Sequence, residues 1–123
     1  MERVILMGLV DRLRNENREK VYKELLGKKY SDIDDFNIAY SPTEEFLLIT
    51  IKRLVLEKKI NEAEDVLFTS LEKNRNDNML CIAGEFYTML MDLSDDELKE
   101  NNFTRAEIKE GINDVKELFN ELR

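Results

Sequence analysis

The run Lys59-Ile60-Asn61-Glu62-Ala63-Glu64-Asp65-Val66-Leu67-Phe68 constrains this chain more than any other. It closes one stretch of helical apolar spacing and opens the next, leaving room for no more than a tight turn. Two helices joined so closely must fold back on one another. Ala63 is the small residue that a close crossing of the two needs. The spacing predicts an all-α chain of antiparallel helical hairpins, tetratricopeptide-like in shape, with the 43–73 pair close to the ~34 residues of one such repeat. The repeat consensus itself is absent, so the likeness is one of shape alone.

Residues 1–27 read as an N-terminal helical arm. Val4, Ile5, Leu6, Leu9, Val10 and Leu13 fall on a broad face at helical spacing. A polar stretch from Arg14 to Lys20 then interrupts the pattern. Either one helix crosses solvent there, or the chain breaks near Asn15–Asn17. Val21, Leu25 and Leu26 resume the apolar spacing, and Gly27 stands where a left-handed residue ends a helix.

Residues 28–42 form an irregular connector. Ser41-Pro42 opens a helix over residues 43–58, since Pro is tolerated in a first turn, and Glu44 and Glu45 favour the positive end of its dipole. That helix is apolar on more than one side, the pattern of a central helix with neighbours on two flanks. Asn61 is placed as the N-cap of the next helix, boxed with Glu64. A fourth helix carries Met79, Ile82, Ala83, Phe86, Tyr87 and Leu90 at spacings of three and four. Ser94-Asp95-Asp96-Glu97 and Thr104-Arg105-Ala106-Glu107 are two further capping boxes. The second opens a last helix with Ile108, Ile112, Val115, Leu118, Phe119 and Leu122 on one stripe. Residues 43–123 thus form a helical hairpin body, and the 123 residues make a single helical domain.

A net charge of −8 opposes binding to nucleic acid or anionic membranes. The charge is uneven. Residues 1–29 carry eight basic and five acidic side chains, so that part is basic and the remainder strongly acidic. A basic arm of this kind either binds something anionic or, the favoured reading, docks on an acidic body, its own or a neighbour's. The lone Cys81 allows no internal disulfide framework and suits a reducing cytoplasm. The opening apolar run is short, is ended by Asp11 and Arg12, and lacks the small-residue site of a signal peptide. The chain is therefore expected in the cytoplasm.

No constellation of catalytic residues emerges. The chain contains no His, which removes the commonest general base and the usual zinc ligand. Asp32-Ile33-Asp34-Asp35 resembles the start of a calcium loop, but Phe36, Asn37 and Thr43 occupy positions that need a ligand, a Gly and a Glu. Gly8, Gly27, Gly84 and Gly111 are isolated, so no phosphate loop can be drawn. Gly84 and Gly111 fall inside helices, where close helix crossing accounts for them. Cys81 has Glu85 as its charged neighbour at helical spacing, which works against a reactive thiolate. The expectation is a protein that is not an enzyme and uses no cofactor or metal.

Several segments together resemble a known family. They are Leu25-Leu26-Gly27-Lys28, the 59–68 run, Phe86-Tyr87-Thr88-Met89-Leu90, Leu93-Ser94-Asp95-Asp96-Glu97-Leu98, and Asn102-Phe103-Thr104-Arg105-Ala106-Glu107-Ile108. In this order they resemble an uncharacterised family of short helical proteins from Firmicutes, described as a domain of unknown function. The resemblance covers most of residues 20–120. It implies a bacterial cytoplasmic protein with a tetratricopeptide-like body, and it carries over no catalytic or binding residue.

The apolar face of the arm is the sharpest feature left. Burying a Leu- or Ile-sized side chain gains ~1.5–3 kcal/mol, so Val4, Ile5, Leu6, Leu9, Val10 and Leu13 require a cover. The polar gap after them lets the arm reach another copy. The sequence thus predicts a small protein–protein interaction module that self-associates through this face as a homodimer and offers its body to a protein partner. The alternative is a peripheral membrane-surface protein held by the amphipathic helix with Arg3, Arg12, Arg14 and Arg18.

Overall fold

The computed structural model describes residues 16–27 and 39–120. The apolar face at residues 4–13, the Asp32–Asp35 run and Leu122 lie outside these. Among the described residues every regular element is a helix. We number them α1 (residues 16–26), α2 (Pro42–Leu56), α3 (Ile60–Lys73), α4 (Asp77–Asp92), α5 (Asp95–Glu100) and α6 (Arg105–Asn120).

Local chemistry sets most of the boundaries. Ser41 caps α2 in a reciprocal box with Glu44, with Pro42 in the first turn, and Ser94 and Glu97 repeat the box at α5. Thr104 Oγ1 accepts from the Glu107 N–H at the start of α6. Asn76 caps α4 by accepting from the Met79 N–H, so that helix begins before the first apolar residue of its stripe. Gly27 ends α1 at a φ of 71°, the left-handed conformation its position calls for.

The start of α3 departs from the sequence reading. Its N-cap is Lys59, with no side-chain cap, and Asn61 lies inside the first turn. The cause is the end of α2. Lys58 takes a left-handed φ of 64°, its N–H bonds the Val55 carbonyl, and the Lys59 N–H bonds that of Leu54. These bonds form a Schellman closure. It reverses the chain within three residues and leaves Ile60, 1% exposed, as the first helical residue. Asn61 instead donates to the Asn101 carbonyl beyond α5. The same closure ends α5, with Asn102 left-handed and Phe103 and Leu98 both buried beside it.

The 42–56 helix has the two neighbours that its apolar pattern suggested, α3 and α4, but the most deeply buried helix is α4. Ten of the sixteen residues of α4 are buried, on every side. α2 and α6 both pack on it, and α2 also packs on α3. Small side chains explain the difference. Cys81, Ala83, Gly84 and Thr88 let neighbours approach α4 closely, whereas α2 presents bulky residues all round. α2 buries Ile51 and Val55 and leaves its other side open.

α1 joins this core through Val21, Tyr22 and Leu25, all buried. As α1 advances its partners descend along α4. Asn17 donates to Asp92 at 2.7 Å, Arg18 pairs with Glu85 at 3.0 Å, and Tyr22 reaches the Cys81 carbonyl. Glu24 meets Lys116 of α6. In the described part of the polar stretch before Val21, Asn17 and Arg18 are therefore occupied in pairing with α4.

Candidate functional site

Three places in the described residues bear on function: an exposed apolar stripe on α2, an acidic cleft between α3 and α6, and the buried polar groups around α4.

The stripe comes from α2's helical geometry. At 100° per residue, Phe46, Ile49, Arg53 and Leu56 share one side, opposite the buried Ile51 and Val55. Phe46 is 72% exposed, Ile49 57% and Leu56 80%, and these are the large hydrophobics most open to solvent among the described residues. Isolated exposed apolar residues are ordinary on a protein surface; these three align on one helix face. Exposed Glu45 and Glu57 stand at the two ends of the stripe, with Lys52 and Arg53 between them. The sequence pattern contained this face but assigned it to burial.

The cleft is lined by Glu64, Asp65, Phe68, Glu107, Glu110, Gly111 and Asp114. Its volume of about 280 Å³ falls just short of the ~300 Å³ at which small-molecule pockets begin. Glu64 does not turn outward as a first-turn carboxylate. It accepts a 2.8 Å hydrogen bond from the Tyr87 hydroxyl, and burial raises its pKa above the usual carboxylate value. Glu107, Asp65 and Asp114 add repulsion in the same direction. Tyr87 is fully buried, and burial beside Glu64 drives its phenol far up, so it remains a neutral donor. Gly111 packs directly against this pair. The interior glycine of α6 was the sequence signal for the contact; which groups it met was not readable.

Around α4 the polar groups are structural. The Tyr22 hydroxyl faces both the Cys81 carbonyl and the Glu85 carboxylate at 3.0 Å, its single proton serving one at a time. Burial pushes the Cys81 thiol up to about 11, with Asp77 and Glu85 adding to the shift, so little thiolate exists near neutral pH. Glu44 is 7% exposed at the start of α2 and accepts from Ser41 N–H, Asn76 and Asn78. The Ser41 backbone bond leads the set that holds its carboxyl below the ordinary value. Among the described residues no three His, Cys, Asp or Glu side chains gather as metal ligands, and no helix is long and apolar enough to cross a membrane.

The residues assigned to self-association, Val4, Ile5, Leu6, Leu9, Val10 and Leu13, lie outside the described residues. The surface that the structure does describe is the one on α2.

Among the described residues the protein is all-helical, with one exposed apolar face on α2. The chain belongs to a family of unknown function (DUF6483), whose pattern matches residues 7–120. No curated protein matches it, and no solved structure does.

Proposed function

We propose that this protein acts by contact rather than by catalysis: a small helical interaction module, tetratricopeptide-like in its antiparallel hairpins, that self-associates through residues 4–13 as a homodimer. The observation that carries the reading is the exposure of Phe46, Ile49 and Leu56 along α2. Placing these three in water gives up ~1.5–3 kcal/mol each relative to burial, a cost that an interface recovers. The Schellman turn at Lys58 supports the hairpin description, since it sends α3 back along α2 within three residues.

Light scattering on the full-length chain and on a Leu6→Glu, Leu9→Glu, Leu13→Glu variant tests the reading. The expected result is a dimer for the native chain and a monomer for the variant, both with the same helical circular dichroism. A native chain that stays monomeric at every concentration overturns it. Co-sedimentation with anionic liposomes, lost at high salt, would assign the same face to a membrane surface instead.

A further inference from the structure

Resting on the self-association proposed above, we infer that the outward stripe of α2 is covered, in the homodimer, by the same stripe of a second copy, the two helices running antiparallel about a two-fold axis.

At 100° per residue Pro42, Phe46, Ile49, Arg53 and Leu56 form the seam of this side of α2. Glu45 and Lys52, two turns apart, stand together on one flank of it. All of them are exposed, so a second helix can lie along the whole seam. Glu45, Lys52 and Arg53 make no ion pair among the described residues.

The charges on this side fit their own image. With the two-fold axis level with Leu48 and Ile49, Glu45 lies opposite the partner's Lys52 and beside the partner's Arg53, and symmetry forms the same pairs again. Along the helix axis, Phe46 then lies within about 3 Å of the level of the partner's Ile49, and Leu56 within about 2 Å of that of the partner's Pro42. Each large apolar side chain of the stripe meets an apolar one. Other arrangements lose this fit. A parallel pair would set Arg53 against the partner's Arg53 in the seam itself. An antiparallel pair centred at Ile51, the middle of the stripe, would set Lys52 against the partner's Lys52. Antiparallel helices also oppose their dipoles favourably. One pair of helix faces falls short of the ~1,200–2,000 Å² of a stable interface, so this contact adds to the one at residues 4–13 and does not replace it.

The test is a charge swap in full-length chains, read by sedimentation equilibrium at low salt, where rim charges are least screened. Glu45→Lys in one chain, and Lys52→Glu with Arg53→Glu in another, each set like charges together twice. Each variant alone should show the dimer dissociation constant raised by about 10-fold or more. Mixed, the two regain opposite charges at both contacts, so a heterodimer should form with close to the native constant. Phe46→Glu with Ile49→Glu should weaken the dimer by about 100-fold and leave the helical circular dichroism unchanged, since both residues are exposed. A short bismaleimide should join two Ile49→Cys chains through position 49, the buried Cys81 staying silent. If the Phe46, Ile49 variant instead loses thermal stability while its dimer keeps the native constant, the stripe is covered by its own chain and the inference falls. A dimer that is indifferent to the charge variants and is not joined through position 49 also overturns it, and leaves self-association standing. A native chain that never dimerises removes both.

Discussion

Gly84 of α4 lies against the ring of Tyr22 in α1. A Cβ built on Gly84 would stand 2.9 Å from two ring carbons, closer than real Cβ contacts come. Tyr22 is fully buried and tied to the Cys81 carbonyl and Glu85, so its ring has nowhere to retreat. Gly111 makes the corresponding contact between α6 and the Tyr87–Glu64 pair. Both mid-helix glycines are thus places where a neighbouring helix delivers a tyrosine onto bare backbone.

Gly84→Ala and Gly111→Ala are each expected to destabilise the protein by roughly 1–3 kcal/mol, overpacking outweighing the ~1 kcal/mol gain in helix propensity. Urea denaturation measures the loss. Tyr87→Phe should relieve part of the Gly111→Ala penalty, because the hydroxyl is the nearest atom to the added methyl. Additive losses in the double variant would place the strain elsewhere.

Lys58→Gly should stabilise by about 0.5–1 kcal/mol. A non-glycine residue held at a left-handed φ costs about 1–2 kcal/mol, part of which glycine gives back through its freedom in the unfolded chain. Asn102→Gly should gain less, since Asn tolerates that conformation through its short polar side chain. Thermal midpoints of the two variants provide the comparison, and equal gains would refute the backbone explanation.

Cys81 should react slowly with a thiol reagent while the protein is folded. With its pKa pushed from 9.0 up to about 11, the thiolate fraction at pH 8 lies roughly 100-fold below that of an ordinary cysteine. Burial at 5% exposure slows it further. Disulfide-exchange kinetics with and without denaturant check this, and comparable rates in the two would mean that the α1–α4 contact opens readily.

The helices were legible in the sequence because capping chemistry and three-four spacing are local. Ser41-Pro42, Ser94 with Glu97 and Gly27 mark the same boundaries in the sequence and in the structure, although the box that Glu44 makes with Ser41 was read only as a dipole effect. The start of α3 was not, because it is decided by the closure at the end of α2. Asn61 looked like the cap, while a left-handed Lys58, a residue with no sequence mark for that conformation, closed the turn earlier. Which helix is most deeply buried was also hidden. Periodicity reports how much apolar surface a helix owns, not how closely its neighbours approach. α4 wins through Cys81, Ala83, Gly84 and Thr88, whereas Phe46, Ile49 and Leu56 make α2 apolar without making it buried. The candidate surface was readable as residues and unreadable as a surface, for the same reason.

Stability should respond to pH through carboxylates shifted in opposite directions. Burial raises the folded pKa of Glu64 above the ordinary 4.5, so its contribution is fully present below that value and is lost as pH rises through the folded pKa. At neutral pH a buried charge faces Glu107 and Asp114 with Tyr87 as its hydrogen-bond donor. Glu64→Gln keeps an acceptor for Tyr87 and removes the charge. It should raise the thermal midpoint at pH 7 by roughly 1–4 °C and give no gain at pH 4. Glu44 behaves in the reverse sense. Hydrogen bonds from Ser41, Asn78 and Asn76 lower its folded pKa, so its contribution is present above 4.5 and lost as pH falls through the folded value. Glu44→Gln should therefore lower the midpoint at pH 7, with the deficit shrinking as the solution is acidified. Midpoints of the native chain and both variants between pH 3 and 8 would show the two differences closing in acid from opposite signs. A Glu64→Gln gain that persists at pH 4 would mean that packing, not charge, sets the effect.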